Sequence, residues 1–168
     1  NGEEVDFTNE SREAKKGMIS YVCWTEQCKP KILAQEQILY SSRISKGKLV
    51  FPFAGRFDMV AEIDGETWML DAKTSINYKD PNYMYQLSMY KMLYEEMGLG
   101  KIDKIGVIRC SKTFNGERPS PRTNLLYEVD YNPEAVYHLV YQFNMFYEQY
   151  DKNNKPKTKP ILQEVFKK

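Results

Sequence analysis

An α/β fold, with a central mixed β-sheet flanked by helices, is predicted by three stretches of this sequence. Asp64-Gly65 separates two runs of alternating residues, Asp80-Pro81 opens a helical run, and residues 102–110 form an apolar run of strand length beyond it. A hairpin followed by a helix and a further strand builds a sheet in which antiparallel and parallel neighbours coexist.

The hairpin comes first. Asp and Gly accept the positive φ angles that a two-residue turn requires. Before the turn, Phe57, Met59, Ala61 and Ile63 alternate with Arg56, Asp58, Val60 and Glu62; after it, Thr67, Met69, Asp71 and Lys73 alternate with Trp68, Leu70 and Ala72. Side chains two apart share a face of a strand, so Asp71 and Lys73 point the same way. Pairing through the turn sets Asp58 across from or diagonal to Asp71, near the hairpin's open end. Two carboxylates and a lysine suit metal-assisted phosphodiester hydrolysis. Hard divalent cations take carboxylate and carbonyl oxygens plus water, and a lysine orients the nucleophile or stabilises developing negative charge. The same residues also read as a surface ion pair on an ordinary hairpin.

Asp80 as N-cap and Pro81 at the first helical position open the next element. Gln86, Tyr90, Leu93 and Met97 form a stripe that Tyr83, Leu87 and Tyr94 widen, and this face is expected against the sheet. Gln86 is its polar member. It is either a satisfied core amide or a group that holds a phosphate or a catalytic side chain, and Tyr90 serves packing or function.

Gly55-Arg56-Phe57-Asp58, Asp71-Ala72-Lys73 and Gln86-Leu87-Ser88-Met89-Tyr90 resemble, in that order, the GxxD, (D/E)xK and QxxxY motifs of the PD-(D/E)XK nuclease superfamily. The likeness is to its RecB-like exonuclease branch, which includes many phage exonucleases, and it covers residues 33–131 best. It implies a restriction-endonuclease-like core and a metal-dependent deoxyribonuclease, with exonuclease action on DNA ends favoured. It also implies that Asp58, Asp71 and the Ala72 carbonyl bind one or two magnesium or manganese ions. Lys73 would act on the attacking water or the scissile phosphate, while Gln86 and Tyr90 position DNA and the site. Around these motifs Arg56, Thr74, Ser75, Tyr78 and Lys79 are expected to meet DNA. An endonuclease or junction-resolving enzyme on the same core, and a non-catalytic DNA-binding domain, are the alternatives.

Two features bear on this resemblance. Residues 32–40 read as one strand, with Ile32, Ala34, Glu36 and Ile38 on one face. Glu36 lies either at an exposed edge or, as the resemblance implies, in the strand before GxxD, where a glutamate helps complete the metal site. The branch also usually carries a histidine on a helix upstream of that strand, whereas the sole histidine here is His138. Either that helix lies outside this chain, or the site works without it, or activity is reduced.

Composition sets the bounds. A chain of 168 residues, 42% hydrophobic, is expected to form a single domain over 1–151, with the first 13 or so residues poorly structured or marking an excerpt. The start at Asn1 rather than Met suits a processed, tagged or excerpted chain. No run reaches the length of a membrane span and the first thirty residues are too polar for a secretory signal, so a cytoplasmic protein with no membrane partner is expected. Cys23, Cys28 and Cys110 suggest a reducing compartment, and three cysteines cannot supply the four that hold the iron–sulfur cluster of some relatives. Net charge is +1, but residues 152–168 carry +5 and the remainder −4, so a basic C-terminal tail able to meet phosphates accompanies an acidic body. That tail is equally read as a solvated terminus. A second copy of the chain, or a recombination or helicase partner, is left open.

The remaining elements follow by pattern. Residues 12–27 form a helix with Ala14, Met18, Tyr21, Val22 and Trp24 inside, weakened at Gly17 and stopped by Pro30. Ser41 to Lys48 is a polar loop. Gly98 and Gly100 stop the second helix, with Ile105, Val107 and Ile108 buried in the strand beyond. Residues 111–122 form a loop whose Lys112, Arg118 and Arg122, with Arg109 nearby, suit either DNA or solvent. A strand over 125–131 and a last helix follow, the latter with Val136, Leu139, Val140, Phe143, Phe146 and Tyr147 inside and His138 packed or exposed. Most of the aromatic content reads as core; Tyr78, Tyr83 and Tyr85 are the exceptions near the motifs.

Overall fold

Ser11 starts the first helix: its hydroxyl accepts a hydrogen bond from the Ala14 N–H, and α1 runs Arg12–Cys28 until Lys29 turns left-handed ahead of Pro30. This computed structural model describes residues 9–41, 44–45, 48–49, 54–75, 77 and 79–142. The strands after α1 are β1 (Lys31–Gln35), β2 (Ile38–Tyr40), β3 (Ile44–Ser45), β4 (Lys48–Leu49), β5 (Ala54–Arg56), β6 (Met59–Ile63) and β7 (Glu66–Lys73). Helix α2 (Pro81–Glu96), β8 (Lys104–Arg109) and β9 (Leu126–Val129) complete the order.

The central sheet is five-stranded, in the order β1-β6-β7-β8-β9, and mixed: β7 and β8 are parallel, and the other pairs are antiparallel. Asp64 and Gly65 both take positive φ, 52° and 81°, as the tight turn between β6 and β7 requires. Its register pairs Met59 with Leu70, and the next step faces Asp58 with Asp71. Helix α2 is the crossover that parallel β7 and β8 need. Asp80 caps it, accepting from the Asn82 N–H, with Pro81 at its first position.

The two faces of the sheet hold separate cores. Val60, Met69, Ile105, Val107 and Val129 pack with Leu87, Leu93 and Tyr94 of α2, whereas Met59, Ala61, Ile63, Trp68, Leu70 and Ile108 pack with Cys23 and Trp24 of α1. The side ribbon β2–β5 brings Leu39 and the adjoining Phe57 into the α2 core.

Three sequence expectations change. In α1 the buried residues are Gly17, Ser20, Cys23 and Trp24, while Met18 and Val22 are exposed. Gly17 faces the end of β8, where a Cβ would make ordinary contact, 3.8 Å from the Cys110 carbonyl oxygen. The single strand expected over residues 32–40 is two. Glu36 takes φ 55° between β1 and β2, and beyond this break Leu39 is buried while Ile38 is 68% exposed. In α2 the buried set is Leu87, Ser88, Lys91, Leu93 and Tyr94, which leaves Gln86 and Tyr90 half-buried at its flank.

The chain divides into two units, residues 1–133 and 134–168. Everything above belongs to the first. In the second, residues 134–142 are helical, with Val136 and Val140 buried and Leu139, expected inside, 43% exposed. His138 is exposed. Phe143, Phe146, Tyr147 and the basic run 152–168 lie outside the described residues. Among the described residues, no helix is long and apolar enough to cross a membrane.

Candidate active site

Past the last β6–β7 pair, β6 no longer offers β7 a backbone acceptor. Asp58 replaces it: its Oδ2 accepts the Ala72 N–H at 2.9 Å. Because N–H and C=O of one strand residue face the same neighbour, the Ala72 carbonyl is turned toward Asp58 as well. Asp71, on the same strand and the α2 face, is buried, its side chain only 4% exposed. Lys73 lies two residues on, with its Nζ 2.6 Å from Asp71 Oδ2 and 5.2 Å from the Tyr83 ring centre. Hairpin geometry therefore gathers Asp58, Asp71, Ala72 and Lys73 within one strand end.

The charges in this group shape one another. Burial raises the Asp71 carboxyl above the ordinary carboxylate range, the hydrogen bond and charge of Lys73 pull it down, and the Asp58 charge raises it again; the net direction is up. Burial alone would lower Lys73, but Asp71 first and Asp58 next hold its ammonium above the usual lysine value. Asp71 Oδ2 has the Lys73 ammonium beside it at 2.6 Å. A carboxylate oxygen carries a second lone pair, so it retains capacity for a hard cation.

Helix α2 supplies the second half. Gln86 Nε2 donates to the Tyr90 hydroxyl at 3.2 Å. Tyr90 packs closely on Gly55 of β5: a Cβ on Gly55 would stand 2.4 Å from Tyr90 Cε1, closer than real contacts reach. The glycine of the first motif thus makes room for the tyrosine of the third. The sequence reading missed this contact, although a glycine within a strand is itself a sign of close approach.

The other expected residues are placed as follows. Glu36 does not join the two aspartates. Its backbone N–H donates to the Asp58 carbonyl, but its carboxylate pairs with Arg56 Nε at 3.0 Å, and both side chains are more than half exposed. Lys79 lies 5.3 Å over the Tyr127 ring. Tyr78 lies outside the described residues. Among the described residues, no group of three or more His, Cys, Asp or Glu is arranged to hold a metal. The acids that do gather number two, Asp58 and Asp71. With a carbonyl and waters, one or two carboxylates are a sufficient protein share for magnesium, which keeps much of its hydration.

Thr74 and Ser75, directly after Lys73, line a cleft of about 440 Å³ with Glu13, Arg109, Ser111, Lys112 and Thr113. A neighbouring depression of about 390 Å³ shares Glu13, Lys112 and Thr113 and adds Arg12, Lys16, Phe114 and Asn115. Glu13, Arg12 and Lys16 come from the start of α1, which sequence patterning marked only as helix. Neither the protein-family models nor the curated proteins compared with this chain give a match.

Proposed function

We propose that this chain is a metal-dependent deoxyribonuclease of the PD-(D/E)XK superfamily, RecB-like branch, built on a restriction-endonuclease-like core. The observation that carries the reading is convergence. Gly55 seats Tyr90, Tyr90 accepts from Gln86, Asp58 caps Ala72, and Asp71 holds Lys73, so the first of three motifs distant in sequence makes direct contacts with both the second and the third.

Asp58, Asp71 and the Ala72 carbonyl are the residues that would hold magnesium or manganese, one ion or two. What such an ion supplies when bound is a water of lowered pKa and neutralisation of phosphate charge. Lys73 stays protonated beside its two acids and donates to the attacking water or a phosphate oxygen. Gln86, fixed by Tyr90, offers its remaining amide groups to the strand. The spent hydrogen bond between them and the Gly55 seat fix its rotamer, which is the preorganisation that positioning requires. Exonuclease action on DNA ends follows from the RecB-like motif set. A companion, either a second copy or a recombination or helicase protein, belongs to the same reading, as does residence in the cytoplasm.

A second reading, a DNA-binding domain without turnover, is favoured by one observation. Glu36 is tied to Arg56, leaving two acids where the resemblance implies three. Digestion of end-labelled single-stranded, double-stranded and closed circular DNA with magnesium or manganese separates the readings. We expect linear DNA to be degraded and circles spared, with Asp71→Asn slower by about a hundredfold or more. Cut circles would make it an endonuclease. Binding with no turnover in either metal would select the second reading.

A further inference from the structure

We infer that the cleft formed by Thr74, Ser75, Arg109, Lys112 and Thr113, with Lys16 beside it, binds a phosphate of the DNA strand next to the one at Asp71 and Lys73. The inference rests on the nuclease reading for its ligand, but not for its geometry.

Connectivity places the cleft. Lys73 and Arg109 are lateral partners in the parallel β7–β8 pair, and the Cys110 N–H donates to the Lys73 carbonyl, so both strands end together at this edge. Thr74 and Ser75 carry the chain from Lys73 into the cleft. Two residues of extended chain reach about 7 Å, so a strand engaged at Lys73 has its adjoining backbone beside them.

Chemistry fits a phosphate. The cleft and its neighbouring depression are lined by Arg12, Lys16, Arg109 and Lys112 against the single carboxylate of Glu13, together with hydroxyls of Thr74, Ser75, Ser111 and Thr113. Phosphate oxygens are met by this combination of cations and hydroxyl donors. Lys16 is already positioned: its ammonium donates to the Phe114 carbonyl and sits 4.8 Å over the Phe114 ring. Lys112 is exposed and makes no ion pair among the described residues, so it offers a charge to a ligand without first breaking a bond.

A cleft of about 440 Å³ is at the scale of a small-ligand pocket and has room for a phosphate group. Glu13 opposes the anion and sets a counter-test, since its neutralisation has to tighten binding.

The experiment is fluorescence anisotropy of a labelled oligothymidylate in EDTA, over a series of salt concentrations, for the whole chain and its variants. Lys112→Ala is expected to weaken binding and to reduce the slope of log K against log salt by about 0.7, the single-strand value for one lost phosphate contact. Glu13→Gln is expected to tighten it. Lys101→Ala, on an exposed pair with Asp103 before the start of β8 and outside this cleft, serves as control and is expected to leave binding unchanged. Unchanged affinity and slope in Lys112→Ala would overturn the inference. Because no metal is present, the outcome is independent of turnover. Loss of binding in Lys112→Ala with a catalytically silent wild type would retain the cleft and sink the nuclease reading. Retained binding with active digestion would do the reverse.

Discussion

The two faces of the central sheet treat ionisable groups in opposite ways. On the α1 face, Cys110 packs among Trp24, Ile108 and Leu125, and burial, reinforced by the Asp58 charge, pushes its thiol up to about 11, so it stays neutral. On the α2 face, Asp71 is at least as buried but stands beside Lys73, and its charge is opposed by burial and supported by a partner. A buried group without a partner is kept neutral at low cost, whereas a buried group with one holds a charge at a cost that folding alone does not require. Both faces hold an apolar core, and the contrast lies in the one charged pair that the α2 face carries at its rim.

The contrast is broken most severely from the α1 side. Trp24 is fully buried, and Trp24→Ala is expected to cost about 3–5 kcal/mol in urea or thermal denaturation. A loss below about 1 kcal/mol would show that α1 contributes little to the fold.

A smaller effect is expected where the faces differ in packing rather than in charge. Gly55→Ala drives a methyl into Tyr90 and is expected to cost about 1–3 kcal/mol. Combining it with Tyr90→Leu relieves the clash, so a double-mutant cycle should show coupling above about 0.5 kcal/mol. Additive losses would mean that the two residues do not share one constraint.

The smallest effect has the opposite sign. Since the folded protein raises the Asp71 carboxyl above its usual 3.8, the native state holds more protons than the unfolded chain between that value and the raised one, and stability falls as pH rises through this window. In EDTA, Asp71→Asn should therefore raise the Tm at neutral pH and flatten the acid-side pH dependence. A lower Tm would show that the pairing with Lys73 outweighs burial.

Much of this arrangement was legible from the chain. Asp64-Gly65 gave the turn, and with it the facing of Asp58 and Asp71, because a two-residue hairpin leaves no freedom of register. Asp80-Pro81 placed the start of α2. What stayed hidden depends on contacts between distant segments. The break at Glu36 requires a left-handed glutamate, which no local pattern announces. The inner face of α1 includes Gly17 and Ser20, which an apolar tally passes over in favour of Met18 and Val22. The seat of Tyr90 on Gly55 spans two elements and is visible only once the β2–β5 ribbon lies over α2.

Asp58 closes the hairpin with the same carboxylate that it offers to the site: one oxygen takes the Ala72 N–H that β6 leaves unmet. Inheritance at this position is therefore pleiotropic. A lineage losing the chemistry would still feel selection for an acceptor here, and asparagine, which keeps one, is the substitution by which activity and architecture can part company. On the proposed function, an aspartate or asparagine at position 58 is thus a record of folding as much as of catalysis, while position 71 records the proposed catalysis together with its pairing to Lys73.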